Sequence, residues 1–416
     1  MCYPYLMSRI RKILLFGALM LLGGLALYRW EPLNRRLAWR VDIVRTYLRG
    51  VVHPADAMPS PAPPPPPTAT RLPAVTLPPP ASPTPAPTPS PAPTPRPLPE
   101  RVSLAAPAWE KQDWNNCGPA SLTMYLRYYG WEGDQFDIAR LVKPAREDRN
   151  VNPEELAYFV RTQAGWMNVI YRVGGDLETL QRLLAAGYPV MIEEAFTFDE
   201  PYWPKDDLWA AHYLLLTGYD RAAGVFIGQD SFHGANQEIS FADLQEKWHP
   251  FNNLYFLVYV LEDEADVQSL LGEAWDEAAA RQQALDAARA QTEADPQDAF
   301  AWFNLGANLV YFERYDEAAS AFDEARRIGL PQRMLRYQFT PFFAYFHSGR
   351  TEDLLALTTY ALQRTPNSEE ALLWHGWGLY RQGNTAQAIA HFRAALSANP
   401  TSQDARYALD FVGASP

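Results

Sequence analysis

From Pro54 to Pro99 the chain is built almost wholly of Pro, Ala, Thr and Ser, as in PAPPPPPTATRLP and PTPAPTPSPAPTPRPLP. No other stretch limits the fold as strictly. Proline has no N–H to give a helix or a sheet ladder, and the small residues around it bury too little apolar surface to offset the entropy of ordering. The segment is expected as a disordered, extended spacer, which in polyproline II geometry at ~3.1 Å per residue reaches on the order of 100 Å. The 416 residues must then fold as separate pieces: an N-terminal segment 1–53, the Pro-rich linker 54–101, and the long region from residue 102 onward. Stalks of this composition suit an extracytoplasmic surface protein.

Before the linker, Arg9, Arg11 and Lys12 precede the uncharged run Ile13–Tyr28, ILLFGALMLLGGLALY. At about 1.5 Å per residue the run spans roughly 24 Å, and Arg29 and Trp30 suit the interface beyond it. A single-pass membrane anchor is expected. No small-residue cleavage pattern follows, as YRWEPLNRR shows, so a removable signal fits less well. Residues 33–49 form a basic amphipathic helix with Leu33, Leu37, Val41, Val44 and Leu48 on one face and five arginines around the rest, suited to a membrane surface or to solvent. Charge on both sides of the run leaves the positive-inside rule undecided.

A formal charge of −12 argues against a nucleic-acid surface. Cys2 and Cys117 are the only cysteines, so the folded region holds no disulfide, and no metal-ligand spacing appears. No cofactor motif is present either, since a GxxxxGK phosphate loop is missing. Residues 102–262 alternate helix and strand signals. ASLTMYLRYYG, NPEELAYFVRTQ with an N-cap at Asn152, and DLETLQRLLAAG with an N-cap at Asp176 read as helices. YPVMIEEA, HYLLLTGYD, GVFIGQDS and NLYFLVYVL read as strands. Helices first and strands after imply an α+β domain, a helical layer on an antiparallel sheet.

In this order Cys117 stands at the amino end of the first helix, in WNNCGPASL, where the dipole and free N–H groups favour a thiolate. Its candidate proton acceptor is His212, which opens HYLLLTGYD. Asp230, near the end of the next strand, lies close to His212 if the two strands pair through a turn at Asp220–Gly224, and it can then orient the imidazole. Gln112 is the candidate amide donor to an oxyanion. His233 and His249 read as loop residues, and Asp220 as a turn residue. The aromatic, acidic segment 196–209 precedes His212 as a long loop that covers the cleft or is a solvated insertion.

At QDWNNCGPASL, HYLLLTGYD and IGQDS the sequence resembles the papain-like cysteine peptidases, in the branch related to bacteriocin leader peptidase domains of peptide-exporting transporters. The resemblance covers roughly 107–262. It implies Cys117 as nucleophile, His212 as general base, Asp230 as orienting residue and Gln112 as oxyanion donor. Gln112 sits one residue closer to the cysteine than is usual there, so Asn115 or Asn116 is the alternative donor, and no ATP-binding segment is found in the chain.

The last third, 263–416, repeats: Pro296, Pro331, Pro366 and Pro400 recur at tetratricopeptide spacing. Its resemblance to that family rests on Trp302, Leu305, Gly306, Ala318, Phe322 and Ala325, and again on Gly376, Gly383, Ala388, Phe392, Ala395 and Pro400. A degenerate copy lies at 335–368 and an upstream one at about 265–298. Such an all-α solenoid implies a peptide or protein partner. The expectation is a multidomain, membrane-anchored cysteine peptidase acting on a peptide or protein substrate, its folded domains extracytoplasmic and its repeats recruiting substrate or partner. A non-enzymatic scaffold and an acyl transferase using the same triad are the alternatives.

Overall fold

The computed structural model describes residues 31–52, 57–62 and 97–415, with Met20, Gly23, Gly24 and Pro54. Apart from three of these single residues, the expected anchor Ile13–Tyr28 lies outside the described residues, as do 63–96 of the linker. Among the described residues no helix is long and apolar enough to cross a membrane. The chain divides into two compact units, Met1–Ala57 with Thr197–Ala210, and Met58–Phe196 with Ala211–Pro416.

In the first unit the expected basic segment is one helix, Glu31–Val52. Among its described side chains the apolar stripe is only partly covered. Ala38 and Thr46 are buried, and Gly50 lies so near Trp203 that an added Cβ would stand 2.5 Å from the Trp203 Cβ. Val41, Val44 and Leu48 remain exposed. Gly50 makes this contact because only a residue without a Cβ lets a helix approach a tryptophan backbone this closely. The excursion Thr197–Ala210 is closed by Phe198 N–H donating to the Leu208 carbonyl at 2.9 Å, with Asp206 accepting from Tyr202 and Leu208 N–H groups.

The second unit is built on a seven-stranded sheet: β1 Arg101–Ser103, β2 Met167–Arg172, β3 Val190–Thr197, β4 Trp209–Asp220, β5 Val225–Asp230, β6 Gly234–Ser240 and β7 Tyr255–Val260. Its order is β2-β7-β3-β4-β5-β6, with β1 beside β4. The β1–β4, β2–β7, β3–β7, β4–β5 and β5–β6 pairs are antiparallel. Two expectations need correction. The helices do not all precede the strands, because MNVIYR forms β2 between the second and third expected helices. Nor is there one helical layer.

Alternation along the central strands sends Met191, Tyr213, Leu215, Phe256 and Val258 to one face and Val190, Ile192, Leu214, Leu216 and Leu257 to the other. A sheet apolar on both faces must be covered on both. Helices Cys117–Tyr128, Gln135–Val142 and Pro153–Gln163 cover the first face, and Leu177–Ala185, Phe241–Trp248 and Glu264–Leu271 the second. The starts expected at Asn152 and Asp176 are observed. Asn152 forms a capping box with Glu155 ahead of Pro153, and Asp176 accepts the Thr179 N–H.

After the sheet domain the helices pair as Ala299–Tyr311 with Tyr315–Ile328, Thr340–His347 with Thr351–Arg364, and Glu369–Arg381 with Thr385–Ala398, closed by Gln403–Phe411. A Cβ on Gly306 would stand 2.7 Å from the Phe322 ring, and one on Gly376 2.5 Å from Phe392, so both glycines are the floor of an aromatic contact. The upstream repeat is not a helix pair of the array. Helix Glu264–Leu271 buries Val267 in the sheet core with Leu270 and Leu271, which leaves only Glu277–Ala294 to the array.

Array and sheet domain are joined by polar contacts: His249 Nε2 to Asp298 Oδ2 at 2.9 Å, Asn252 Nδ2 to Asn308 Oδ1 at 2.8 Å, and Gln338 Nε2 to the Pro250 carbonyl at 2.8 Å. His249, expected as a plain loop residue, is one of these struts. At its C-terminal end the linker is also structured, for Tyr219 Oη donates to the Pro99 carbonyl and Arg221 N–H to that of Glu100. Gly306→Val drives a branched side chain into Phe322 and destabilises the protein by about 2 kcal/mol, read as a lowered urea midpoint at unchanged slope.

Candidate active site

Helix Cys117–Tyr128 begins at the cysteine, and a tightly specified loop delivers it. Asn115 takes a left-handed φ of 53°, and Lys143 Nζ donates to the carbonyls of Asn115 at 2.7 Å and Trp114 at 3.3 Å. Gln135 Oε1 accepts from the Asp113 N–H and from Asn116 Nδ2, both at 2.7 Å, while its Nε2 donates to the Lys111 carbonyl. Arg146 holds Asp113 through two bonds of 3.0 Å. Sequence reasoning missed Lys143, Gln135 and Arg146, since a lysine before a proline and a glutamine in a helix's first turn carry no local sign of burial.

The strand pairing brings His212 and Asp230 together. With Leu215 opposite Gln229 across β4 and β5, His212 Nε2 lies 3.0 Å from Asp230 Oδ1. Both are buried, at 3% and 6% exposure. With Nε2 on Asp230, the same imidazole acts on Cys117 and lowers its thiol. Asp230 accepts further bonds from the backbone N–H groups of Phe232 at 2.7 Å and His233 at 3.0 Å. His233 is more than the loop residue expected, because its Nδ1 lies 2.7 Å from Asp230 Oδ2. Phe196 packs on His212, Phe232 and His233 at ring separations of 5.2 to 5.4 Å. Asp220 does serve the turn, accepting the Ala223 N–H.

These contacts set the charges. Burial alone raises the thiol of Cys117, but the hydrogen bond and charge of His212, the Tyr213 backbone N–H and the Lys143 ammonium together pull it below its usual value. Burial lowers His212, yet its bonds to Asp230 and Cys117 outweigh that and push it up to about 10. Asp230 is held well below the usual carboxylate range: burial opposes this, and the His212 bond and charge prevail. Between the two shifts the favoured state is a thiolate–imidazolium pair. Burial drives Glu193, which faces the same site, well above its usual value.

A small pocket beside the thiol is lined by Asn115, Cys117, Gly118, Arg149, Asn150, Val151, Glu193, Ala211, Tyr213 and Tyr337. Tyr337 belongs to the helical array. Gln112 is not among the lining residues. Its Oε1 accepts from Ser231 Oγ at 2.9 Å and its backbone N–H donates to the Ser231 carbonyl, which ties it to the end of β5. Asn115, by contrast, has a buried Nδ2 without a hydrogen-bond partner. Asn116 spends its Nδ2 on Gln135.

Residues 103–256 match the family model described as Peptidase_C39 like family. The chain is similar to xylellain, a cysteine protease from Xylella fastidiosa, at 12% identity and TM-score 0.30 over 39% of this chain and 87% of that one. It is similar to a double glycine motif protease from an AMS/PCAT transporter in complex with the leader peptide, at 14% identity and TM-score 0.28 over 38% and 94%. It is also similar to YrrB, a TPR protein with an unusual peptide-binding site, at 18% identity and TM-score 0.19 over 35% and 88%. No curated protein matches it. Residues 103–256 are thus similar to the C39-like peptidase family, and an all-helical region follows them.

Iodoacetamide should alkylate Cys117 of the full chain well below pH 8, because the thiolate is already present there. In His212→Ala the two largest contributions that lower the thiol are gone and burial is opposed only by the Tyr213 N–H and the Lys143 ammonium, so the profile moves to higher pH. A rate that follows free-thiol ionisation in both proteins overturns this reading of the charges.

Proposed function

We propose that this chain is a membrane-tethered cysteine peptidase whose Cys117, His212 and Asp230 hydrolyse peptide bonds while its repeats recruit the substrate or a partner protein. The observation that carries it is a buried imidazole held at 3.0 Å by a buried carboxylate beside a helix-start thiol, which that imidazole pulls toward ionisation. In this reading the Cys117 thiolate attacks the scissile carbonyl carbon and the π electrons move to oxygen. The His212 imidazolium passes its proton to the leaving amine as the C–N bond breaks, leaving a thioester. Water then attacks the thioester with His212 as base, releasing the acid and restoring the thiol. Asp230 keeps the imidazole in its tautomer and plane throughout.

The developing oxyanion needs donors. The N–H groups of the first helical turn lack intrahelical partners and supply the field. Gln112 is the side-chain donor that the resemblance implies, with its carbonyl end fixed on Ser231. Asn115 is the second candidate, and its partnerless Nδ2 beside the thiol supports it. Val151, Tyr213 and Tyr337 would receive a substrate side chain, so the array helps to shape the cleft.

Membrane attachment rests on the apolar run Ile13–Tyr28 and on helix Glu31–Val52, where exposed Val41, Val44 and Leu48 with Arg40 and Arg45 suit an anionic bilayer surface. The stalk composition favours folded domains on the extracytoplasmic side.

Hydrolysis of a quenched fluorescent peptide library by the full chain tests the catalytic reading. Cys117→Ala should abolish cleavage, Asp230→Asn should lower kcat by at least ~10²-fold, and Gln112→Ala and Asn115→Ala by ~10²-fold with KM little changed. Undiminished cleavage by Cys117→Ala rejects the assignment. An amide whose removal leaves kcat intact is not an oxyanion donor.

A further inference from the structure

One stretch of the stalk is not spacer. Met58, Pro59, Pro61 and Ala62 are partly buried against the helical array. Side chains of Tyr315–Ile328 and Thr351–Arg364, with Arg350 just before the second of these helices, meet it with an unusually complete set of bonds. Arg326 donates twice to the Pro59 carbonyl, from Nε at 3.1 Å and Nη2 at 2.7 Å. The Ala62 N–H donates to Asp353 Oδ1 at 3.0 Å, and the Ala62 carbonyl accepts from Arg350 Nη2 at 3.4 Å. Arg326 and Asp353 are themselves buried, at 5% and 3% exposure.

The receiving groups are locked from behind. Arg326 Nη1 also donates to Asp353 Oδ1 and Tyr345 Oη, both at 2.9 Å. Arg350 pairs with Asp353 at 2.7 Å and with Asp323, and Tyr345 Oη donates to Asp323 at 2.8 Å. Such a network makes no sense as internal packing alone, because buried guanidinium donors without acceptors are costly and the Pro59 carbonyl satisfies two of them.

We propose that Arg326, Arg350 and Asp353 form a peptide site that takes an extended Pro-X-Pro-Ala segment through its main chain, and that stalk residues 59–62 occupy it as an internal ligand. Each of the four bonds to the segment goes to the backbone of residue 59 or 62. Three residues is one turn of polyproline II, so both positions face the same side. The fourth position must carry an N–H, which excludes proline there and makes alanine fit where the surrounding prolines do not. Pro89–Ala92 repeats the same four letters, and Pro83–Ala86 differs only in Thr for Ser, so the stalk is rich in this ligand class. Tethered in the same chain, residues 59–62 act at an effective concentration on the order of millimolar, and a partner peptide of this kind must displace them. Recruitment by the array is therefore gated by the stalk. The inference refines the recruiting half of the proposed function and does not depend on catalysis.

The test is fluorescence anisotropy of a labelled synthetic peptide of residues 55–66 titrated with the full-length chain and with its Ala62→Pro variant. That substitution removes one N–H from the stalk and leaves the array untouched. The peptide should bind the variant chain about tenfold or more tightly than the intact chain, because loss of a hydrogen bond to a charged acceptor weakens the internal ligand by that order. A peptide carrying the same Ala62→Pro change should bind the variant chain about tenfold more weakly than the unaltered peptide. Equal binding to both chains, binding to neither, or indifference to proline in the peptide overturns the proposal. The readout is binding alone, so any of these leaves the peptidase reading standing.

Discussion

A carboxylate kept ionised inside the protein is the constraint around which this domain is organised. Asp230 is buried at the end of β5, where an unpaired charge would be costly, and each bond its carboxylate accepts is a charge-assisted one that also fixes a neighbour. His212 is oriented by it, the β5–β6 turn is folded over it through the N–H groups of Phe232 and His233, and the loop before Cys117 is tied to the same corner by Trp109 donating to its backbone carbonyl. The imidazole held there can stay protonated beside the thiol, so one buried anion sustains the charge state of the whole site.

The second requirement is that the thiol arrive at the same corner from a different element. A two-faced apolar sheet fixes the relative places of β4 and β5, while the Cys117 helix is seated on one face by Leu122, Tyr125 and Leu126. Ser121 Oγ donates to the Tyr213 carbonyl at 2.9 Å, binding the start of the helix to the strand that bears His212. Lys143 and Gln135 do the remaining positioning by consuming the polar groups of the loop. Rigid elements on both sides therefore bring a thiol and an imidazole to one corner without relying on a flexible loop.

The helical array is more than an appendage to this domain. It meets the sheet domain through His249, Asn252 and Gln338 and lends Tyr337 to the pocket beside the thiol. Its own buried ion network faces the stalk. Substrate side chains near Cys117 and extended peptide near Arg326 would thus be received by two surfaces of one helical framework.

Much of this was legible from local pattern. Cys117 at a helix start, the capping signals at Asn152 and Asp176, the paired strands around the Asp220 turn and the repeat glycines all arise from short-range stereochemistry and periodicity, which a single sequence displays. The sequence by itself determined the kinds of element, the His212–Asp230 pairing through hairpin register, and the small residues that let Phe322 and Phe392 pack. What only the tertiary structure decided were contacts between residues far apart in the chain: the second helical layer, the displacement of the upstream repeat onto the sheet, the place of Lys143, Gln135 and His233, and the seating of Pro59–Ala62 on Arg326 and Asp353. The reason is physical. Periodicity records which face of an element is buried, but not which polar groups meet there, since those bonds depend on the packing of elements whose separation in sequence leaves no local trace.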